Sequence, residues 1–240
     1  MIEKVNIYKD AQALSEGFTS FLKGELAKKD TVSISLSGGS TPKAIFDYWS
    51  ANCQDTIDWN KLIFFWGDER CVPPDDSMSN FGMTRDLLFD KIDAINMTQI
   101  HRIHGENDPQ EEVEWYTNIM EKYLPKKNDV IEFDIMMLGL GDDGHTVSIF
   151  PDQIDLWDKE VDCLIAEHPE TKMKRISLTG RVVNNSRNIA FLVTGKNKAE
   201  KVREIIKQRE LLLNKYPAAR VNPKEGTLYW FLDEEAASLL

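Results

Sequence analysis

Residues 133–151, FDIMMLGLGDDGHTVSIFP, decide how this chain folds. The run from Phe133 to Leu138 is apolar and of strand length, the composition of a strand buried on both faces of a parallel sheet. It breaks into Gly139, Gly141 and Gly144, with Asp142 and Asp143 between them and His145 directly after. A hydrophobic strand that ends in a glycine-rich turn with an acid and an imidazole is how an open α/β sheet presents chemistry, because ligands sit outside the carboxyl ends of its strands. Glycines admit backbone angles and close approaches that other residues forbid. Histidine can exchange a proton near neutral pH. The same residues also read as an ordinary tight turn with a solvated histidine, so the neighbouring segments must decide.

Upstream, residues 32–36 read as a strand that runs into Ser37-Gly38-Gly39-Ser40-Thr41-Pro42, after which 43–49 reads as helix. Strand, Gly-Gly turn and helix start together make an anion cradle, since the N–H groups at a helix N-terminus are unpaired and carry the positive end of the dipole. Thr41 suits the N-cap and Pro42 the first helical position. The spacing is not that of a Walker loop, so no nucleotide is implied. A third apolar strand, 62–66, ends in Gly67-Asp68-Glu69-Arg70 and a rigid loop with Pro73-Pro74. Those charges read either as a surface ion network or as a pocket wall. Residues 80–89 suggest a helix and 100–103 a strand. His101 and His104 lack a third ligand type nearby, so no metal site is expected. A helix over 109–124 has Pro at its start, acids in its first turn and Val113, Tyr116, Ile119, Met120 and Tyr123 on one face.

At the start of the chain, Val5, Ile7 and Tyr8 suggest a short strand and 11–27 carries a helical apolar stripe. Downstream, 152–171 is polar and irregular with one apolar piece at 161–166. An alternating strand begins at Arg175, 189–194 is apolar and ends at Gly195, Lys198 opens a helix, and 227–232 is a last strand. Strands alternate with helices throughout, with no repeat or clear linker. The expectation is an α/β, Rossmann-like fold with a largely parallel sheet and helices on both faces, formed by 1–240 as a single domain.

Composition bounds the partners. The chain has 240 residues, 42% hydrophobic and 29% charged, enough for a normal core. A formal charge of −11 disfavours nucleic acid and anionic membrane, so neither is expected as a partner. An anionic ligand would need a local cationic cluster working against the global field. Cys53, Cys71 and Cys163 fit neither a disulfide framework nor a thiolate zinc motif, and a reducing cytoplasm is the simple inference. The N-terminus shows no signal-peptide core, and the longest apolar runs are too short to span a bilayer.

Four segments, SGGSTP, WGDERCVPPDDSMSN, GLGDDGHTVSIFP, and RISLT followed by Gly195-x-x-Lys198, resemble the 6-phosphogluconolactonase family in order and spacing. The resemblance spans most of the chain. The wider superfamily includes glucosamine-6-phosphate deaminase, which has Tyr after Asp-Glu where this chain has Arg70, and Ile-Ala-Phe-Asn-Glu-Pro after Gly-His where this chain reads Thr-Val-Ser-Ile-Phe-Pro. Both differences favour the lactonase. The resemblance implies a Rossmann-like domain that hydrolyses 6-phosphogluconolactone to 6-phosphogluconate, a step of the oxidative pentose phosphate pathway, with no cofactor and no metal. The partner it implies is a small sugar-phosphate lactone; oligomeric state is not addressed.

Ester hydrolysis needs a base for water, stabilisation of an oxyanion and an acid for the leaving oxygen. His145, the histidine at a glycine-rich strand end, is the candidate base and then acid. Asp143 either orients that imidazole or stabilises the turn through its own backbone. Asp142 is the solvent-facing neighbour. The phosphate falls to the backbone N–H groups and hydroxyls of Gly38, Gly39, Ser40 and Thr41, with Arg175 and Lys198 carried over from the resemblance. Arg70 is a further cation at the same edge, or else an ion-pair partner of Asp68 or Glu69. Asp68 suits a sugar hydroxyl; its counterpart in the deaminases is a catalytic base. Two rivals stay open: a deaminase-type sugar-phosphate isomerase, and a non-catalytic sugar-phosphate sensor.

Overall fold

The apolar runs become strands, and the amphipathic stretches between them become the covering helices. A computed structural model describes residues 2–240. In chain order the elements are β1 (Ile2–Tyr8), α1 (Ala11–Leu26), β2 (Val32–Leu36), α2 (Ser40–Asn52), β3 (Leu62–Trp66), β4 (Asp68–Arg70), α3 (Asn80–Leu87), α4 (Pro109–Tyr123), β5 (Lys126–Lys127), β6 (Val130–Ile131), β7 (Ile135–Leu138), β8 (Cys163–Glu167), β9 (Lys174–Leu178), α5 (Gly180–Asn185), β10 (Asn188–Val193), α6 (Ala199–Leu212) and β11 (Thr227–Asp233). Six strands form one sheet in the order β1-β11-β10-β7-β2-β3. Every pairing in it is parallel. Each residue of the central strands β2 and β7 is buried, as a sheet covered by helices on both faces requires. Aromatic rings fill the layers between: Phe18 packs on Trp49 and Phe231, and Phe191 stacks on Trp230 with centroids 4.4 Å apart.

The topology locates the site. From β2 the chain passes through α2 to β3 on one side, whereas from β7 it winds to β10 on the other. The direction of winding therefore reverses between the neighbours β2 and β7, and a crevice opens beyond their carboxyl ends. The loops that follow these two strands are SGGSTP and GLGDDGH.

Four local expectations are corrected. Strands β8 and β9 do not join the main sheet. They pair antiparallel, and β9 pairs with β4, giving a separate sheet β4-β9-β8. Residues 100–103 make no strand: Ile100 forms a single bridge to Phe64, and the His101 N–H donates to the Phe64 carbonyl at 2.9 Å. The helix after the Gly-Gly turn starts at Ser40, with Gly39 at its cap, so Thr41 lies in the first turn and its hydroxyl sits 2.8 Å from that of Thr194. Gly39 has φ of 108°, a left-handed turn that lets the helix begin immediately and that a side chain would strain. At the other end of the site, a short 3₁₀ turn over Lys196–Lys198 precedes α6, so Lys198 occupies its cap. Among the described residues, no helix is long and apolar enough to cross a membrane and no cluster of His, Cys, Asp and Glu is arranged to hold a metal. His104 sits 3.0 Å from buried Glu112, and His101 stacks on Tyr123.

Candidate active site

A cavity of about 210 Å³ lies at the switch point. Gly38, Gly39, Ser40 and Thr41 line it from the β2–α2 turn, Asp68 and Arg70 from β4, His145 from the β7 loop, Arg175 from β9 and Lys198 from the start of α6. Segments more than a hundred residues apart in sequence thus converge on one volume.

The loop after β7 holds the imidazole in place. The Gly141 N–H donates to the His145 carbonyl at 2.9 Å, and the Gly144 N–H to the Gly141 carbonyl at 3.0 Å. A Cβ on Gly141 would stand 2.1 Å from His145 Nδ1 and 2.6 Å from Asp143 Oδ1, so this position must be glycine for the ring to lie where it does. Asp143 Oδ1 accepts from the His145 backbone N–H at 3.0 Å and sits 2.7 Å from His145 Nδ1. Burial raises the Asp143 carboxyl, but the hydrogen bonds and charge of His145 outweigh it and hold the group below the usual Asp value. An ionised carboxylate only accepts, so Nδ1 carries the proton, and in the neutral ring Nε2 keeps a lone pair. Asp143 itself is not on the cavity wall; it stands behind the imidazole.

Val147, two residues on, has φ of 47°. This is an outlier for a β-branched residue, and it lines the cavity. Beyond it, the hydroxyl of Ser148 donates to Asp68 Oδ2 at 2.5 Å and accepts from Arg175 Nη1 at 3.4 Å. Asp68 and Arg175 are buried, with 4.0 Å between carboxylate and guanidinium. Burial lowers Arg175, Asp68 opposes, and the nearby Arg70 adds to the lowering.

Arg70 and Arg175 are directly opposite each other in the β4–β9 ladder. Like charges so placed repel. Their Nε atoms are buried without a hydrogen-bond partner, and Arg70 makes neither of the ion pairs that its acidic neighbours offered. Its Nη1 donates to the Met78 carbonyl instead. Glu69 faces away, accepting from the backbone N–H groups of Arg70, Asn80 and Phe81 at 2.7–2.8 Å. Two facing guanidinium groups with unused donors concentrate positive charge at this wall of the cavity, against a net negative chain. Lys198 also reaches the cavity but pairs with exposed Asp142.

Several residues in or behind the cavity wall carry no signal that singles them out in sequence. Asn80 donates to the Asp68 carbonyl at 2.9 Å, and its amide lies against Gly38. It is the last residue of the SMSN stretch but has no evident role there. Ser148 and Val147 are similar: nothing local distinguishes a hydroxyl that bridges Asp68 and Arg175, and only tertiary contact shows it.

The chain is similar to known proteins along most of its length. Residues 9–230 match the family model described as glucosamine-6-phosphate isomerases/6-phosphogluconolactonase. A 6-phosphogluconolactonase of Haemophilus influenzae is 43% identical over 210 residues, covering 87% of this chain and 88% of the relative. One of Treponema pallidum is 42% identical over 197 residues, covering 82% of this chain and 81% of the relative. Among solved structures, the 6-phosphogluconolactonase of Trypanosoma brucei superposes with a TM-score of 0.87 at 29% identity, covering 99% of this chain and 98% of its own.

Proposed function

The chain belongs to the family of glucosamine-6-phosphate isomerases and 6-phosphogluconolactonases, and on that premise we propose that it hydrolyses 6-phosphogluconolactone to 6-phosphogluconate, with 1–240 acting as one cytoplasmic domain and His145 as the base. The observation that carries this reading is the His145 imidazole, held from behind by Asp143, lining one cavity with the facing guanidinium groups of Arg70 and Arg175. A base and a cluster of cations in one cleft suit an uncharged lactone ring tethered to a phosphate.

The steps follow from these positions. The phosphate is held by Arg70, Arg175 and Lys198 and by the N-terminus of α2 at Gly38, Gly39, Ser40 and Thr41, which orients the ring and supplies binding energy away from the reacting carbon. Lys198 must exchange Asp142 for the phosphate. His145 Nε2 takes a proton from a water molecule whose oxygen bonds to the lactone carbonyl carbon. The tetrahedral adduct collapses, the bond from that carbon to the ring oxygen breaks, and the proton passes from His145 to the departing oxygen. The acid so formed ionises to the carboxylate product. Asp143 keeps Nδ1–H bonded and supports the imidazolium while it exists. Asp68, bonded to Ser148 and close to Arg175, faces a substrate hydroxyl rather than acting as a free carbon base.

The test is decay of 6-phosphogluconolactone generated in situ from glucose 6-phosphate, corrected for spontaneous hydrolysis. His145→Ala is expected to lower kcat by roughly 10²–10⁴-fold while 6-phosphogluconate still binds. Arg175→Ala is expected to raise KM by about tenfold or more, and to weaken phosphorylated ligands more than an unphosphorylated lactone. Unchanged turnover in His145→Ala would remove it as the base. Failure of the intact protein to accelerate decay, with ammonia released from glucosamine 6-phosphate, would favour the deaminase; binding without turnover of either would favour the sensor.

A further inference from the structure

We propose that Phe150 is a positioning residue that couples phosphate recognition at Arg175 to the base His145. The proposal rests on the lactonase reading above. Phe150 is only 1% exposed, yet it is not part of the contiguous hydrophobic core of the described residues. Its ring is shared among groups at the site. The His145 imidazole packs on it with centroids 4.6 Å apart and planes at 43°. The Arg175 guanidinium carbon lies over the same ring, 5.4 Å from its centroid. The His168 ring meets it edge-on at 5.1 Å, and His168 is itself fixed, since its Nδ1 accepts from the backbone N–H groups of Glu170 and Thr171 at 3.3 and 3.2 Å.

The arrangement spans the two sheets. His145 and Phe150 come from the loop after β7 of the main sheet, whereas Arg175 and His168 come from β9 and its connection to β8 in the small sheet. A buried ring that makes little contact with the core can do one thing well: fix the groups that touch it. A phosphate drawn to Arg175 fixes the guanidinium, the guanidinium bears on the ring, and the ring bears on the imidazole. The ring also favours cations at its surface. Arg175 is a permanent one, and His145 becomes one only after it has taken the water's proton. Stabilisation of that short-lived imidazolium acts on the transition state and not on the resting enzyme. Phe150 does not line the cavity, so its effect passes through both neighbours.

The experiment is a double-mutant cycle on the full chain, with Phe150→Leu made alone and in the Arg175→Ala background, each checked by a thermal melt. The substrates are 6-phosphogluconolactone and unphosphorylated glucono-1,5-lactone. Acceleration by the unmutated protein is measured first, so that failure of the lactonase reading is seen before any Phe150 variant is interpreted. Phe150→Leu is expected to lower kcat/KM for the phosphorylated lactone by about tenfold, to narrow the preference for the phosphorylated over the unphosphorylated lactone, and to cost less than about threefold once Arg175 is gone. An equal loss in both backgrounds, or an unchanged preference between the lactones, would overturn the coupling of Arg175 to His145 through Phe150. Where Phe150→Leu does not fold, Phe150→Met, which fills similar volume without a π face, carries the same expectations.

Discussion

At the scale of single residues, the pair Asp143–His145 is built almost entirely from local backbone. The partners stand two positions apart, the acid accepts from both the backbone N–H and Nδ1–H of the histidine, and Gly141 clears the space for the ring. Asp143→Asn keeps the shape but offers an amide that can donate to Nδ1, which favours the wrong tautomer. It is expected to lower kcat by about 10²-fold or more with a smaller change in KM, as steady-state kinetics would show. A loss confined to KM would speak against the orienting role. Stability gives a second readout. The folded pKa of Asp143 lies below its ordinary value, so its contribution is present above that ordinary value and is lost as pH falls through the lower, folded one. The Tm difference between the wild type and Asp143→Asn is therefore expected to shrink on acidification below about pH 4.

At the scale of elements, the short strand β4 does two jobs on its two faces. Asp68 and Arg70 turn toward the cavity, while Glu69 points the other way and caps α3, together with Ser79, whose hydroxyl accepts from Gly82 at 2.9 Å. The cap fixes α3 and so places Asn80 against Asp68 and Gly38. Burial pushes the Glu69 carboxyl up to about 7, with the three backbone N–H groups pulling the other way and Asp68 adding to the rise. A folded value above the unfolded one means that its contribution is full below the unfolded pKa of 4.5 and is lost as pH rises through about 7. Melts of the wild type and of Glu69→Gln at several pH values across that window are expected to show the wild type losing Tm relative to the variant as pH rises. A constant difference would mean that Glu69 is ionised throughout. The expectation of a strand over 100–103 failed at this same scale. Its two isoleucines are compatible with pairing, but β3 takes only one bridge from it, and the chain then runs on to the cap of α4, where Asp108 accepts from Gln110 and Glu111.

At the scale of the whole molecule, the three cysteines are free, two of them buried and Cys71 half-buried. Burial, with Glu69 and Glu112 adding and Lys174 opposing, raises the Cys71 thiol to about 11, and burial raises Cys163 as well. Little reactive thiolate is present on these two near neutral pH, and Cys53 is shielded by burial. Iodoacetamide at about pH 7.5 is expected to leave the folded protein unlabelled and to modify all three cysteines in guanidinium; rapid labelling of Cys71 in the folded state would contradict this. The sequence by itself determined the parallel α/β architecture, because fully apolar strand-length runs alternating with amphipathic stretches have few other ways to bury their surface. It also determined the glycine turns after β2 and β7 and the local Asp143–His145 pair, since those depend on residues a few positions apart. Only the tertiary structure decided that β8, β9 and β4 form a second sheet, that Arg70 and Arg175 face each other with unused donors, that Ser148 bridges Asp68 to Arg175, and that Phe150 lies between His145 and Arg175. These contacts join segments far apart in the chain, and periodicity along the chain carries no record of which distant residue will stand across from which.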